Sequence, residues 1–267
     1  MGKVLLQCFL ILITPILGIF FRLQDALYAV LAILSIEISP IEAILSSLPL
    51  SERGVSLVCG LLISSILLWV LRKVNKEKVF NTGDKYGEYP LSLYYFASKI
   101  LGYGFVTLVR VPIHLQFQLV IKDLFDNVKV DDNTRAYVQP VKVMKKNMEH
   151  ISNEVNLVLN DTYKILEEQI PSNKRHLPTI IIFNGNKFSG VRNFNTKFVD
   201  EIRKQTNKYS QNYSQINIFA TTNTKHNKAF IEECFKNARR TGFKNLTVFQ
   251  FDPINNSFAK NYSILKS

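Results

Sequence analysis

The sequence predicts a membrane-anchored α/β protein, in which N-terminal transmembrane helices precede a cytoplasmic domain with a small parallel β-α-β-α-β sheet of the Rossmann-like type. Three observations lead to this fold class. Two long uncharged apolar stretches lie within the first 72 residues, the last third of the chain is strongly basic, and three short β-branched runs alternate with helical patterns near the C-terminus.

The two apolar stretches predict membrane spans. Residues 4–21 and residues 54–71 each contain eighteen residues without Asp, Glu, Lys or Arg, close to the roughly 20 that a helix needs to cross a bilayer. A cleavable signal peptide is the alternative for the first stretch, but no convincing small-x-small cleavage motif precedes Arg22. We therefore expect an uncleaved anchor.

The charges that follow the second stretch predict its orientation. Trp69 is an interfacial aromatic residue, and a basic cluster follows it within the next nine positions. This arrangement is typical of the cytoplasmic end of a span. We expect a multi-pass membrane protein that contacts membrane lipids and carries its C-terminal domain in the cytoplasm. The basic residues of the cluster are Arg72, Lys73, Lys76 and Lys78.

The segment between the spans, residues 26–50, is apolar but interrupted by Glu37, Glu42 and two prolines. Carboxylates and a central proline make a third crossing costly. The segment is therefore expected to form a pair of helices at the outer membrane interface or against the spans. The alternative is that the two carboxylates line a conduction path. Residues 1–78 are thus assigned to the transmembrane anchor.

Residues 79–143 are expected to form a linker and a membrane-proximal apolar region. The linker, residues 81–90, contains two glycines and a proline. In residues 90–120 the apolar sequence is interrupted by Lys99, Arg110 and several aromatic residues. Three interpretations stay open for this stretch: an amphipathic membrane-surface helix, a core helix with a strand, and a third span.

Apolar residues between positions 144 and 171 recur close to the helical period, until Pro171 ends the pattern. The spacing predicts one long amphipathic helix over residues 144–171. Such a helix commonly packs on its own domain, but it could also form a short coiled coil. A homo-oligomer joined by residues 144–170 and the membrane helices is therefore a further expectation.

Residues 172–267 are expected to form a basic α/β domain. The runs 179–183, 216–220 and 246–251 are short, apolar and rich in β-branched and aromatic residues, which predicts strands buried on both faces. Helical patterns lie between them, and the second is expected to end at Gly242 as a C-terminal cap. The order β-α-β-α-β is typical of a doubly wound parallel sheet.

The positive charge of the chain is concentrated in the same region. The formal net charge is +12, and residues 174–267 contain sixteen Lys and Arg against five Asp and Glu. Clustered positive charge raises the local concentration of anions, so a nucleotide, nucleic acid or anionic lipid is the expected partner. The alternative is that the charge only keeps the domain soluble. The abundance of Lys, Asn and Ile indicates an AT-rich genome and favours a bacterial source.

Polar loops follow the three predicted strands. In doubly wound sheets ligands bind beyond the carboxyl ends of the strands, where loops and helix N-termini present free N–H groups. These loops match neither GxGxxG nor the P-loop motif, but they contain glycine for close backbone approach and cations for phosphate. Asp252 could instead cap the turn that Pro253 begins. The predicted ligand-binding residues are Asn184, Gly185, Asn186, Lys187, Arg192, Thr221, Thr222, Asn223, Lys225 and Asp252.

The sequence assigns no catalytic residue, no metal site and no cofactor. The three cysteines form no CxxC pair, and the HExxH and GxSxG patterns are absent. His226 is expected to be an exposed residue in the first turn of a helix, without an identified partner that would make it a general base.

The favoured function is that of a non-enzymatic membrane-anchored sensor or effector, whose basic domain binds a nucleotide-like or other anionic ligand and signals to the membrane helices. The alternative is a structural or assembly subunit of a larger membrane complex, in which the basic face contacts a partner or anionic lipid. A membrane-tethered nuclease or hydrolase is disfavoured, because the basic domain contains so few acidic residues.

Overall fold

The structure, a computed structural model, describes residues 2–82, 84, 86–87, 89–131, 135–136, 138–185, 193–236 and 242–266. The chain is divided into two compact units. The first comprises residues 1–79 and 95–104, and the second comprises residues 80–94 and 105–267. Each unit has its own apolar core, and each is described by itself.

Two long apolar helices dominate the first unit, and both are long and apolar enough to cross a membrane. Only 11% of the apolar stretch of the first and 28% of that of the second is buried in the protein. A core helix of a soluble protein would be mostly buried, so these exposed apolar surfaces fit contact with lipid. The predicted spans lie almost entirely within these helices. The helices of this unit are α1 (Gly2–Phe20), α2 (Gln24–Ile33), α3 (Ser39–Ser47) and α4 (Glu52–Asn75).

Helices α1 and α4 run antiparallel and touch through small residues. A Cβ atom at Gly60 would lie only 2.9 Å from the carbonyl oxygen of Thr14 and from Cα of Pro15. Further along the same interface, Oγ of Ser64 donates a hydrogen bond of 2.8 Å to the carbonyl oxygen of Ile11. Small residues of this kind allow the close backbone approach on which membrane helix packing depends.

The segment between the two long helices forms the expected pair of short helices. Helices α2 and α3 have ten and nine residues, which is too short to cross a bilayer. Glu37 and Glu42 are both exposed. The short helices pack their apolar side chains against α4. The core of the first unit consists of Leu27, Leu31, Leu45, Val55 and Cys59.

A π-helix packs against the last turn of α4 within the first unit. Helix α5 (Leu91–Tyr95) is followed directly by the π-helix Phe96–Ile100. The buried side chain of Asn75 donates a hydrogen bond of 3.0 Å from Nδ2 to the carbonyl oxygen of Leu101. The free carbonyl that follows the π-helix thus receives a buried partner.

The second unit contains a short strand and a buried helix in residues 105–121, so the structure supports a core helix with a strand among the three open interpretations of residues 90–120. Strand β1 (Phe105–Thr107) pairs in parallel with β2 (Asn127–Lys129). Helix α6 (Ile113–Ile121) has nine residues, most of them buried, and is too short to span a bilayer.

Within the described residues, six strands form the main sheet of the second unit, in the order β10-β9-β8-β5-β6-β4. The central strands β9, β8, β5 and β6 are parallel, whereas β10 and β4 pair antiparallel at the two edges. The predicted parallel sheet is therefore right for the centre and wrong as a whole, because the sheet is mixed. The strands are β4 (Val141–Lys146), β5 (Glu154–Asn160), β6 (Thr179–Asn184), β8 (Gln215–Ala220), β9 (Asn245–Asp252) and β10 (Ser257–Leu265).

The three predicted strands are present as β6, β8 and β9, and a helix follows each of the first two, as predicted. Helix α8 (Thr196–Tyr209) lies between β6 and β8, and α9 (Thr224–Cys234) lies between β8 and β9. Helix α9 ends at Cys234, before the predicted cap at Gly242. The remaining elements are β3 (Arg135–Ala136), which pairs in parallel with β7 (Asn193–Phe194), and the single turn α7 (Ser172–Arg175).

The long helix predicted over residues 144–171 is wrong. These residues contain the end of β4, the whole of β5 and a 3₁₀ turn over Glu167–Gln169. Asn147, with φ of 55°, adopts the left-handed conformation directly after β4, which a helix could not accommodate. Six consecutive residues of β5 are buried, and periodicity alone does not distinguish such a strand from a buried helix. The expected coiled-coil contact between subunits rested on this helix, so the structure gives it no support.

Different segments of the chain pack on the two faces of the main sheet. Because successive side chains alternate, one face contains Ile180, Ile182 and Leu157, against which α8 and its neighbours α9 and α6 pack. The other face contains a row of paired residues that is covered by the segment 161–177. This row runs through Met144, Ile181, Val158, Phe219 and Phe249. The strands of the centre are thus buried on both faces, as their sequence predicts.

A polar row crosses the second face near the amino ends of the strands. Asn156 and Asn217 are fully buried there and hydrogen-bond to each other. Nδ2 of Asn217 also donates to Oε2 of Glu154 at 2.9 Å, and the ammonium of Lys174 lies 2.5 Å from the same oxygen. Burial raises the pKa of Glu154, but the hydrogen bonds from Asn217 and Lys174 outweigh it and hold the pKa below its usual value of 4.5.

Glu154→Gln should remove an acid-sensitive part of the stability. A carboxyl group whose pKa is lowered by folding stabilises the fold above its unfolded pKa, and this stabilisation is lost as the pH falls through the folded pKa. We expect wild type to unfold at a higher temperature than the variant at pH 7, with a difference that shrinks below pH 4.5. Glu149→Gln, at an exposed position, is the control. A difference that stays constant with pH would contradict this role of Glu154.

Gly60→Val should separate α1 from α4. The new side chain would meet the backbone of Thr14 and Pro15, and overpacking of this kind costs about 1–3 kcal/mol. We expect a lower thermal unfolding midpoint of the full chain in lipid nanodiscs. The matched control is Gly2→Val, because a Cβ atom at Gly2 has no described neighbour within 4 Å. Equal midpoints for Gly60→Val and wild type would show that the helices do not approach closely at this position.

Candidate functional site

The candidate site lies at the carboxyl ends of the parallel strands. Strand β5 is the first of the parallel strands in the chain, with β6 on one side of it and β8 on the other. The segment after β5 crosses one face of the sheet, whereas the connections after β6 and β8 cross the opposite face through α8 and α9. The chain thus leaves β5 and β8 toward opposite faces, and in such sheets this topological switch point is where ligands bind. Directly after the strands the two loops are joined by hydrogen bonds, such as the one from the backbone N–H of Thr162 to the carbonyl oxygen of Thr221 at 3.2 Å.

A buried carboxylate, that of Asp161, occupies the centre of this edge. Asp161 follows β5 directly and is 8% exposed. Its Oδ1 accepts a hydrogen bond of 2.6 Å from Nδ2 of Asn184, at the end of β6. Its Oδ2 accepts hydrogen bonds from the backbone and side-chain amides of Asn223, at 3.0 and 3.1 Å, and lies 2.7 Å from Nδ1 of His226. One carboxylate thus joins the ends of β5 and β6 to the start of α9.

Both ring nitrogens of His226 are held by hydrogen bonds within the protein. Its Nε2 accepts a hydrogen bond of 2.8 Å from the backbone N–H of Asn195, so Nε2 carries no proton and Nδ1–H donates to Asp161. The ring is fully buried, with the rings of Phe194 and Phe198 both at a centroid distance of 5.2 Å. The expectation of an exposed His226 is therefore wrong. Both ring nitrogens are used internally, so this geometry does not provide a general base.

Asn223 and Asn195 complete the buried network, which we call the Asp161 network: Asp161, Asn184, Asn195, Asn223 and His226. The side-chain oxygen of Asn223 accepts from the backbone N–H groups of Lys225 and His226 and so caps the first turn of α9. Asn195, directly before α8, donates from Nδ2 to Oδ1 of Asn184 at 2.6 Å. The network therefore fixes the starts of both helices on the edge of the sheet.

Two buried amide atoms at this edge have no hydrogen-bond partner among the described residues. They are Oδ1 of Asn195 and Nδ2 of Asn160, and both residues are fully buried. The other atom of each amide is used, since Oδ1 of Asn160 accepts from the backbone N–H of Ile165 at 2.6 Å. Unsatisfied buried polar atoms are rare and each costs roughly 1–3 kcal/mol. The described part of the chain thus supplies no partner for one donor and one acceptor atom near this edge.

The predicted ligand-binding residues occupy this edge but have different roles in the structure. Asn184 and Asn223 belong to the Asp161 network. Oγ1 of Thr221 donates to the carbonyl oxygen of Tyr163 at 2.6 Å, and Oγ1 of Thr222 bonds to the side chain of Asn227. Their side chains therefore already hold the loops together.

Three further predicted residues are described. Gly185 has φ of 85°, a left-handed conformation that favours glycine. The ammonium group of Lys225 lies 5.2 Å from the ring centroid of Phe194. Asp252 accepts from the side chain of Asn255 and the backbone N–H of Ile254, which hold its pKa below the usual range. Asp252 thus caps its own turn, as the alternative interpretation proposed. Asn186, Lys187 and Arg192 lie outside the described residues.

Sequence reasoning missed the two most constrained residues of the edge. Asp161 falls within the helix predicted over residues 144–171, so the sequence did not indicate that it follows a strand. The partner of His226 lies 65 positions earlier in the chain, and no local pattern connects them. Within the described ranges, no group of three or more His, Cys, Asp or Glu side chains could hold a metal ion.

Asp161→Asn should loosen the loops at this edge. The substitution keeps the shape of the side chain but turns one acceptor oxygen into a donor, which leaves buried donors without a partner. We expect the free energy of unfolding to fall by at least about 2 kcal/mol, with faster amide hydrogen exchange at residues 184–185 and 223–227.

Asp200→Asn is the matched control, because Asp200 is an exposed residue of α8. Its free energy of unfolding should stay within about 0.5 kcal/mol of wild type. If Asp161→Asn behaved like this control, the Asp161 network would not hold the edge together.

Comparison with known proteins identifies a family that matches nearly the whole chain. The model of the family described as the SMODS- and Ubiquitin system-associated 2TM effector domain, SUa-2TM, matches residues 1–265. No curated protein sequence matches the chain.

Two similar solved structures are those of the Acinetobacter baumannii Cap4 SAVED/CARF-domain containing receptor, with the cyclic trinucleotides 2'3'3'-cAAA and 3'3'3'-cAAA. Their TM-scores are 0.43 and 0.42, each at 10% sequence identity. Each match covers 66% of this chain but only 41% of the receptor chain.

Proposed function

The chain belongs to the SMODS- and Ubiquitin system-associated 2TM effector family, and from this membership we propose that it is a membrane effector whose soluble α/β unit binds a nucleotide-like anion and signals to the membrane helices. The observation that carries the ligand proposal is the edge at the carboxyl ends of β5, β6 and β8, where Oδ1 of the buried Asn195 has no hydrogen-bond partner among the described residues.

The charge around helix α4 supports a cytoplasmic soluble unit. Trp69 is 57% exposed near the end of the helix, and the ammonium of Lys73 lies 5.5 Å from its ring centroid. Arg72 and Lys73 form the basic last turn. An aromatic residue at the interface followed by cations marks the cytoplasmic side of a span. We propose that both N-terminal helices cross the membrane and that the α/β unit lies inside the cell.

The composition of the loops supports a phosphate-bearing ligand. Lys187 and Arg192 follow β6 in the sequence, and Lys225 belongs to the first turn of α9. Together with the excess of cations in the last third of the chain, they favour an anion. Helix N-termini add partial positive charge, and the starts of α8 and α9 both belong to this edge. Phosphate groups match both features, while a base or sugar could donate to the amide oxygen of Asn195.

The Asp161 network supports transmission from the ligand to the rest of the unit. It connects the ends of β5 and β6 to the starts of α8 and α9. A ligand that reorients one loop would therefore alter the positions of the others. Signalling further requires that the ligand binds one arrangement of these loops more tightly than another.

A thermal-shift experiment on the full chain in lipid nanodiscs tests the proposal. The probes are ATP, cyclic di-AMP, a short single-stranded RNA and glycerol phosphate, each at low and at high salt. We expect one nucleotide to raise the unfolding midpoint at both salt concentrations, because a ligand that binds only the folded state stabilises it by about 2.7 kcal/mol at a hundred times its Kd.

Variants separate a defined site from a basic surface. Lys187→Ala and Arg192→Ala should abolish the shift, whereas Lys260→Ala, at an exposed position of β10, should keep it. If no nucleotide shifts the midpoint, or all polyanions shift it equally and salt removes the effect, the sensing proposal fails. The assembly subunit, with its basic face on a partner or anionic lipid, would then be the better account.

A further inference from the structure

An apolar cavity opens on the sheet face that the helices do not cover. Its volume is about 250 Å³, just below the range of roughly 300–1,000 Å³ that is typical of small-molecule sites. Its floor is part of the paired row Met144, Ile181 and Val158. Its wall comes from the segment that follows β5. The wall residues are Ile165, Leu166 and Ile170.

The mouth of this cavity is positively charged. Lys146, Lys164 and Arg175 line it together with one acid, Glu167. The ammonium of Lys146 lies 2.7 Å from Oε2 of Glu167. This ion pair neutralises the acid and one of the three cations. Both partners are about half exposed, so this ion pair contributes little to stability. Lys164 and Arg175 then remain as an excess of two positive charges beside an apolar interior.

Arg175 is oriented before any ligand arrives. Its Nε donates to the carbonyl oxygen of Ile170 and its Nη2 to that of Glu168, both at 2.7 Å. These bonds use two of the five N–H donors of the guanidinium and fix its plane at the mouth. A preorganised guanidinium loses little side-chain entropy when it pairs with an anion.

We propose that the cavity binds a medium-chain acyl carboxylate, with its alkyl chain over Ile181 and Val158 and its carboxylate beside Arg175 and Lys164. An aliphatic chain matches the lining, because Phe183 is the one aromatic residue among the described lining residues. A nucleobase would need an aromatic platform for stacking. The carboxylate matches the charged mouth, because arginine binds carboxylates through paired hydrogen bonds.

This ligand is independent of the proposed nucleotide site. The cavity lies over the row Met144, Ile181 and Val158, two residues before Asn160 along β5. None of the residues of the Asp161 network lines it. The acyl ligand therefore needs no nucleotide, and each proposal can fail alone.

A fluorescence experiment tests the acyl site. Trp69 is the single tryptophan of the chain, so the Trp69→Phe variant provides a dark background into which Phe183→Trp introduces a reporter at the cavity. The protein is studied as the full chain in lipid nanodiscs and titrated with 8-bromooctanoate, whose bromine quenches nearby indole rings. We expect saturable quenching that octanoate reverses and neutral octanamide does not.

The chain offers matched controls for membrane partitioning and for charge. In the wild-type chain, Trp69 belongs to α4 and reports 8-bromooctanoate dissolved in the bilayer, so its quenching should not saturate. On the reporter background, Arg175→Gln should raise the Kd about tenfold by removal of a charge-assisted hydrogen bond. Lys260→Gln, which lies outside the cavity, should leave the Kd unchanged.

Three results would overturn the acyl site: quenching of the cavity reporter that does not saturate, equal competition by octanamide, or an unchanged Kd in Arg175→Gln. If Phe183→Trp does not fold, saturation-transfer NMR of octanoate on the wild-type chain, compared with empty nanodiscs, decides the question by the same competition with octanamide. No signal above empty nanodiscs would equally exclude the site.

Discussion

The arrangement of the second unit depends on the hydrogen bonds to the carboxylate of Asp161. Taking a carboxylate out of water costs several kcal/mol, and a position that is 8% exposed tolerates it only when donors surround both oxygens. Asn184, Asn223 and His226 supply these donors from two other segments. Every loop that contributes a donor must therefore keep its position, because moving it would leave the buried carboxylate without that hydrogen bond.

Parts of this fold follow directly from the sequence. The runs that became β6, β8 and β9 are short, β-branched and bounded by polar residues, so strand was the one regular structure that fitted them. Strand β5 was hidden because Val155, Val158 and Leu159 also fit the helical period. The edge strand β4 carries Lys142, Lys145 and Lys146, charges that protect sheet edges from further pairing and at the same time remove the apolar signal of a strand. Misreading these two strands as one helix concealed the mixed character of the sheet.

The edge of the sheet at which the predicted residues lie follows from the sequence, but the contacts of their side chains do not. Polar residues after parallel strands must meet at one edge, and Asn184, Thr221, Asn223 and Asp252 do so. Their sequence does not show whether an amide will bind a ligand or another loop, because that depends on distances between segments far apart in the chain. Asn223 caps its helix and Asp252 caps its turn, local roles that these residue types favour strongly. His226 is buried, and its ring contacts Asp161. The sequence does not indicate this contact, because Asp161 was predicted to lie inside a helix.

Oδ1 of Asn195, which has no hydrogen-bond partner in the part of the chain that the structure describes, sets a scale for the proposed signalling. A buried polar atom without a partner costs roughly 1–3 kcal/mol. A ligand that supplies a donor for Oδ1 of Asn195 recovers that energy in whichever arrangement of the loops exposes this atom to it. A differential gain of about 1–3 kcal/mol corresponds to a change in affinity of roughly 5- to 150-fold. Because Asn195 precedes α8 and bonds to the ring of His226 in α9, this gain would act on the starts of both helices at once.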